Sequence, residues 1–432
     1  MEMVRFNKII YMNYTNKFYG GVRVLSSEEY VLVIKLMDGT EFNLVKELGY
    51  KIIAISPEFT ISEVMMVDIP IQIDLNDEKG VIIKVLELAE KYNIVAVYTL
   101  NEYRVQLGAS IREVLEIPFG ISCEAASNCR NKKKTRGILT NKGINTVKYS
   151  IIHSCDEVEK TLLNIPLPVV VKPSNDAGSN MVYCCQTKSE VSDAVRNIKN
   201  CEINSVGQKL DKDIILEEFL SGPEFSVEAY TSNGRSTILA ITSKKVVSPF
   251  FPVEAGHTVP SPLKNKEMQM VISLVKKAIF ELGIDFTVTH TEVKLTPNGP
   301  KIIEINARPG GDKIPVLVKM TTGYELHKIA LFLSLGRSVE TICNEVETSK
   351  SASIRFFIAN RDGIVRLGNT IKVLENNTDV ISFEMNVEDG DCISKTTSNF
   401  DRLGHFIVKG NNERYSEEIA ENILNVINFS IN

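Results

Sequence analysis

Several absences narrow the field before any residue is given a role. The 432-residue chain has eight cysteines but no C-x-x-C pair. Without that spacing, zinc sites and dithiol redox motifs find no support, and thiols such as Cys184-Cys185, inside an apolar run, read as small buried side chains in a reducing cytosol. No apolar run reaches the roughly 18 residues of a membrane span. Met1-Glu2-Met3-Val4-Arg5 shows no cationic start followed by an apolar stretch, so no secretory signal is expected. G-x-G-x-x-G and the Walker A pattern G-x-x-x-x-G-K-[ST] are both missing, which argues against a nicotinamide cofactor and against a P-loop. The net charge of −5 offers no general attraction to nucleic acid or an anionic membrane. There is no tandem repeat and no low-complexity tract.

What is present is an ordinary globular composition, 44% hydrophobic and 24% charged, on a length that suits about three domains. Up to about Phe119, strand-like and helix-like segments alternate. A helix over Glu41 to Leu48 is followed by a strand over Lys51 to Ser56, and a helix over Val81 to Tyr92 by a buried strand over Ile94 to Leu100. This alternation predicts an open parallel sheet. The middle, Ile121 to Arg337, mixes hairpins with helices. Met270 to Leu282 carries Val271, Leu274, Val275, Ala278 and Leu282 on one stripe. Strands over Thr287 to Leu295 and Pro300 to Ala307 are joined by Thr296-Pro297-Asn298-Gly299, a hairpin signal. The last part, from about Gly336, reads as β-rich and then helical. Its Asp362-Gly363 suggests a hairpin between Ser353–Ala359 and Ile364–Leu367, and Glu417 to Ile427 a closing helix. No catalytic constellation is visible there.

The chemistry concentrates on the hairpin at 287–308. Side chains at i and i+2 share a strand face. That puts His290, Glu292 and Lys294 together on one strand and Ile302, Glu304, Asn306 and Arg308 together on the next. In register, Glu292, Glu304 and Asn306 converge, a hard-oxygen set suited to Mg²⁺, with Mn²⁺ as an alternative ion. Arg308, just beyond, can grip a phosphate or carboxylate, and Gly310-Gly311 lets backbone approach a ligand. The ordinary explanation is a solvated sheet face with a surface ion pair. Lys172 ends an apolar strand, and Ser174 to Ser179 forms a small polar loop able to close over phosphates; a plain surface hairpin is the alternative. Ile214 to Glu224 reads as strand, linker and turn, with Glu224 able to accept from two ribose hydroxyls. The basic run Arg130 to Arg136 opens a helix and serves either a phosphate or the solvent. Glu254-Ala255-Gly256-His257 reads as a loop between Pro249 and Pro262, with a candidate substrate histidine.

In this order the segments resemble the ATP-grasp superfamily, and more closely the L-amino-acid ligases of the bacilysin-synthesis type. The resemblance implies an α/β protein with an N-terminal open α/β domain (1–119), a central lid region (120–225) and a C-terminal α+β ATP-grasp half (226–432) with an appended β-rich segment from about 340. It implies ATP contacts at Lys132 (or Lys133), Lys172, Ser179, Glu217, Phe219, Leu220 and Glu224. Metal ligands would be Glu292, Glu304 and Asn306. Arg308 would act on the transferred phosphate, and Glu102, Glu254, His257, Gly311 and Asp312 would meet the amino acids. Asp312 would either select a cationic side chain or cap the helix after it. The implied activity is a cytoplasmic, ADP-forming carboxylate–amine ligase that joins amino acids through an acyl phosphate, with ATP and Mg²⁺, small-molecule partners and no nucleic acid or membrane. A homodimer stays open. So do amide formation on siderophore or nucleotide precursors, bicarbonate activation, and a non-catalytic ATP-binding subunit.

Overall fold

The computed structural model describes residues 28–35, 39–248, 250–342, 348–412 and 414–432. The N-terminal residues read above for a signal, and Pro249, lie outside them.

The first layer is the expected open parallel sheet, with strands ordered Ile69–Gln72, Lys51–Ser56, Glu29–Ile34 and Asn93–Tyr98. Its strands read as apolar runs because helices cover both faces. Helix Glu78–Ala89 buries Val81, Ile82, Val85 and Leu88 against one face, while Phe42 and Val45 of Thr40–Glu47 pack on the other.

A second, antiparallel sheet orders Tyr149–Ile152, Ile214–Glu218, Val169–Pro173 and Tyr183–Cys185. Alternation sends Val169, Val171, Ile214 and Leu216 into its core with helix Lys188–Asn200. The same alternation leaves Val170, Lys172 and Glu217 facing a cleft.

The third sheet has eight antiparallel strands: Gly299–Asn306, Thr287–Thr296, Glu224–Ser232, Arg235–Ser248, Phe251–Val259, Ser351–Phe357, Gly404–Gly410 and Val380–Met385. Helix Asn265–Glu281 buries Val271, Val275, Ala278 and Ile279 on one face beside Phe225, Val227 and Val293. Helices Ile314–Thr322 and Leu326–Ser334 cover part of the other, with Leu317, Val318 and Ile329 near Val288 and Ile354. Helices Cys123–Arg130 and Lys132–Asn141 bury Ala125, Ala126 and Leu139 in this large-sheet core rather than in the core of the second sheet.

Three local expectations change. Glu254–His257 is not a loop but part of strand Phe251–Val259, because both its neighbours in the sheet supply ladder partners. Ser351–Phe357 and Gly363–Arg366 do not pair across Asp362-Gly363. The first joins the eight-stranded sheet, and the second pairs with Cys392–Ile393 and Ser430–Ile431. Finally, a bulge interrupts the 287–306 hairpin: Glu292 faces Glu304, but the next pair is Val293 with Ile302. The extra residue, Ile303, turns to the cleft, and Ile302 drops into the core, so Ile302 does not share the face of Glu304.

Candidate active site

A cleft of about 960 Å³ runs between the second and third sheets. Lys132, Lys172, Ser179, Glu217, Phe219, Leu220, Glu224, Glu254, Glu292 and Glu304 all line it.

One side is cationic. Asn131 caps helix Lys132–Asn141 through its side chain, which sets the first turn so that Lys132 points inward. Lys132 Nζ donates to the Asp176 carbonyl at 2.6 Å and lies 3.3 Å from Glu304 Oε1. Lys133 turns outward, nearly half exposed, to Asp213 at 2.7 Å; of the two candidate nucleotide lysines, Lys132 is the one in the cleft. Glu217 sits between Arg136 (2.8 Å) and Lys172 (2.7 Å). Burial would raise the Glu217 carboxyl, but these two cations hold it down at about 2. Burial lowers the Lys172 ammonium, and Arg136 and Lys132 add to that against the pull of Glu217. The Glu217 side chain is therefore committed to ion pairs, and its strand is paired on both sides, so a base edge would meet the linker that follows it. The Phe219 N–H already donates to the Pro168 carbonyl at 3.3 Å, and its ring stacks on Phe250, 4.8 Å between centroids. Ser179 and Gly178 both have positive φ, 57° and 68°, which folds the small polar loop back over the cleft mouth.

The opposite side is acidic, and cross-strand register builds it. Lys244 stands opposite Glu224 on one neighbour and His257 on the other. Its buried ammonium is caged by Glu254 (2.6 Å), Glu292 (2.6 Å) and Glu224 (3.1 Å). His290 stands opposite Glu228, and their side chains meet at 2.5 Å. Burial would lower the His290 pKa, but Glu228 outweighs it and lifts the ring to about 10. The backbone passes so close here that a Cβ on Gly310 would lie 2.7 Å from His290 Nδ1. Gly310 is thus the glycine that close approach requires, whereas a Cβ on Gly311 would meet nothing within 4 Å.

Beyond the hairpin, Arg308 Nε contacts Glu102 Oε2 at 2.8 Å, and Arg130 holds Glu102 Oε1 at 2.9 Å. Glu102 was expected to meet a substrate ammonium; instead both its oxygens are engaged by guanidinium groups, which keep its carboxyl low against the cost of burial. The Asn306 amide, oriented by its hydrogen bonds, donates to Glu304 Oε1 (3.1 Å) and Glu102 Oε1 (3.2 Å). Turned over, it aims its oxygen at Glu304 instead. With Glu292 and Glu304 in register, that gives a cation two carboxylates and an amide oxygen on neighbouring strands, so the donor set fits Mg²⁺.

Glu254, His257 and Asp312 form a cluster whose ligand atoms lie within 4.8 Å of one another. His257 is fully buried, and neither ring nitrogen has a hydrogen-bond partner. Burial lowers its pKa and keeps it neutral although Asp312 pulls the other way. Burial lifts Glu254 to about 8, aided by Asp312 and Glu292 and opposed by Lys244. Asp312 stays well below its usual range in spite of burial, since Glu254, His257 and Arg402 around it favour its charge. Asp312 is not the cap of the following helix. Lys313 holds that position, with no side-chain cap, ahead of Ile314–Thr322.

Five residues of this network escaped the sequence reading as single residues: Lys244, Glu228, Arg130, Asn399 and Arg402. Arg130 was seen only as part of a basic run. Lys244 carries a faint signal, a charge at an inward position of a long strand, but its partners come from register alone. Asn399 and Arg402 come from the part where no constellation was visible.

The fold and the paired-sheet cleft match the ATP-grasp fold. Residues 165–316 match an ATP-grasp domain, and residues 355–432 match the L-amino acid ligase C-terminal domain 2. The chain therefore carries an ATP-grasp domain and resembles the L-amino acid ligases. Among curated proteins it is 25% identical over 316 residues to dapdiamide A synthase of Enterobacter agglomerans, covering 71% of this chain and 74% of that one. It is 27% identical over 271 residues to alanine–anticapsin ligase of Bacillus subtilis strain 168, covering 59% and 57%. The fold is shared with the crystal structure of an L-amino acid ligase from Bacillus licheniformis, at TM-score 0.78 and 23% identity over 94% of this chain and 99% of that one. No helix among the described residues is long and apolar enough to cross a membrane.

Proposed function

We propose that the chain is an ADP-forming carboxylate–amine ligase that joins two amino acids. The observation that carries this reading is the register of Glu292 against Glu304 in a cleft that Lys132 and Lys172 also line, with Arg308 just beyond the strand end braced by Glu102. Lys132 and Lys172 bind nucleotide phosphates, Glu224 meets the ribose, and the backbone of the linker after Glu217, Glu218 to Leu220, meets the base, between the apolar walls of Val147, Val170 and Ile303. Glu292, Glu304 and Asn306 would hold Mg²⁺, which supplies charge neutralisation on the β- and γ-phosphates.

The substrate carboxylate attacks the γ-phosphorus of ATP, the bond to ADP breaks, and an acyl phosphate results. The amine of the second amino acid then attacks the acyl carbon and phosphate leaves. Positioning does most of this work. Arg308, fixed by Glu102 rather than free to rotate, steadies the negative charge that develops at the acyl centre. The Ser174–Ser179 loop closes to keep water from the intermediate. Glu254 and His257 lie where an amino acid would enter. An orphaned neutral imidazole offers it one donor and one acceptor.

The test is product analysis over a grid of amino-acid pairs with ATP and Mg²⁺. ADP, phosphate and a dipeptide in equal amounts are expected. Stoichiometric AMP and pyrophosphate would refute the acyl-phosphate route. ADP formed only with bicarbonate or with a non-amino-acid carboxylate would move the reading to another ATP-grasp ligase.

A further inference from the structure

Asp312 looks, from its place after Gly310-Gly311, like a residue that would attract a cationic substrate side chain. Its surroundings say otherwise. Arg402 of the C-terminal segment grips it with both terminal nitrogens, NH2 to Oδ1 at 2.5 Å and NH1 to Oδ2 at 3.0 Å. The N–H on Nε donates to the Asn399 carbonyl at 2.7 Å, and the guanidinium lies 3.7 Å above the Phe356 ring. Neither charge of the pair is left over.

The same short turn braces the second acid of the pocket. The Glu254 N–H donates to Asn399 Oδ1 at 3.0 Å, and Asn399 Nδ2 donates to Glu254 Oε2 at 3.2 Å. Asp312 and Lys313 both adopt left-handed backbone, with φ of 53° and 61°. Two such residues in succession persist where their surroundings impose the conformation, and a bidentate guanidinium is such a constraint.

We propose that Arg402 is a specificity-determining residue: by neutralising Asp312 it makes the amino-acid pocket accept an uncharged side chain. This rests on the ligase reading above. A pocket selects by what it repels as well as by what it attracts. A cationic side chain beside this pair meets Arg402, and an anionic one meets Asp312, each without a free counter-charge in the pair. Breaking the pair from either end uncovers one sign.

The experiment compares full-length wild type, Arg402→Met, Asp312→Asn and the double variant, with ADP formation measured on alanine, lysine and glutamate at a fixed amine partner. Wild type should favour alanine. Arg402→Met should move the lysine-to-alanine ratio of kcat/KM toward lysine by about tenfold or more, as expected for an uncovered, partly buried charge. Asp312→Asn should move the glutamate-to-alanine ratio toward glutamate, and the double variant should return both ratios to near the wild-type values. Unchanged ratios in both single variants, or an equal loss on all three substrates, would overturn the proposal, and so would a wild-type preference for lysine. If Arg402→Met does not fold, Asp312→Asn alone decides. If wild type makes no ADP with any amino acid, the ligase reading fails; calorimetric binding of lysine and glutamate to the same variants then still reads the charge preference, and no change there overturns this inference.

Discussion

The two walls of the cleft handle buried charge differently. On the wall proposed to hold the nucleotide, one carboxylate, Glu217, is shared by two cations, and Lys132 stands nearby, so positive charge is in excess. On the opposite wall, proposed to meet the amino acids, one ammonium, Lys244, is shared by three carboxylates, and Arg402 and Asp312 close a further pair. A site that takes up a polyanion gains from uncompensated cations. A site that binds a zwitterion gains from acids whose charge is mostly spoken for, because the substrate brings both signs. Neither wall is arranged for stability alone, since buried ion pairs repay little of their desolvation cost.

The sharpest break is expected where the walls meet, at Glu304, whose carboxylate lies 3.3 Å from Lys132 and in register with Glu292. Glu304→Ala should cut ATP turnover by about 10³-fold or more, on the scale of removing a transition-state electrostatic contact. Near-normal turnover at ordinary Mg²⁺, in a variant with unaltered circular dichroism, would end the metal assignment.

Next comes Glu217. Glu217→Gln leaves Lys172 and Arg136 without their buried counter-charge and should destabilise the protein by about 3–5 kcal/mol in urea titration. The pH dependence follows from the sign of the shift. A carboxyl at about 2 in the folded protein, against its usual 4.5, contributes stability that is complete above 4.5 and fades as pH falls toward 2. Wild type should therefore lose stability more steeply than Glu217→Gln between about pH 4.5 and 2. Parallel curves would show that the pair is not what holds this wall. The smallest effect is expected at Lys133, whose half-exposed contact with Asp213 is a surface pair. Lys133→Ala should change stability by no more than about 1 kcal/mol and leave nucleotide affinity unaltered. A large loss of ATP binding in a titration would mean that Lys133, not Lys132, turns inward.

Much of the nucleotide wall was legible because its information is local. Lys172 ends an apolar strand, the basic run straddles a helix start, and period-two alternation decides which of their neighbours face inward. The fate of Glu102 was not legible. Its partners, Arg130 and Arg308, lie 28 and 206 residues away, and a free acid and a doubly paired one look alike in sequence. Glu254–His257 was misread as a loop for a related reason. Proline and glycine nearby suggest irregular chain, but ladder partners on both sides hold the segment extended.

By itself the sequence determined the parts whose geometry repeats within a few residues: the parallel layer at the start, the stripe of Asn265–Glu281, and the turn Thr296 to Gly299 that joins the strands carrying Glu292 and Glu304. Such features follow from backbone periodicity and turn chemistry, which any short window contains. Only the tertiary structure decided the bulge that sends Ile302 inward, the cage around Lys244, and the reach of Arg402 across 90 residues to Asp312. Those depend on which strands lie side by side in an eight-stranded sheet, and strand order is fixed by non-local burial and pairing that no local pattern encodes.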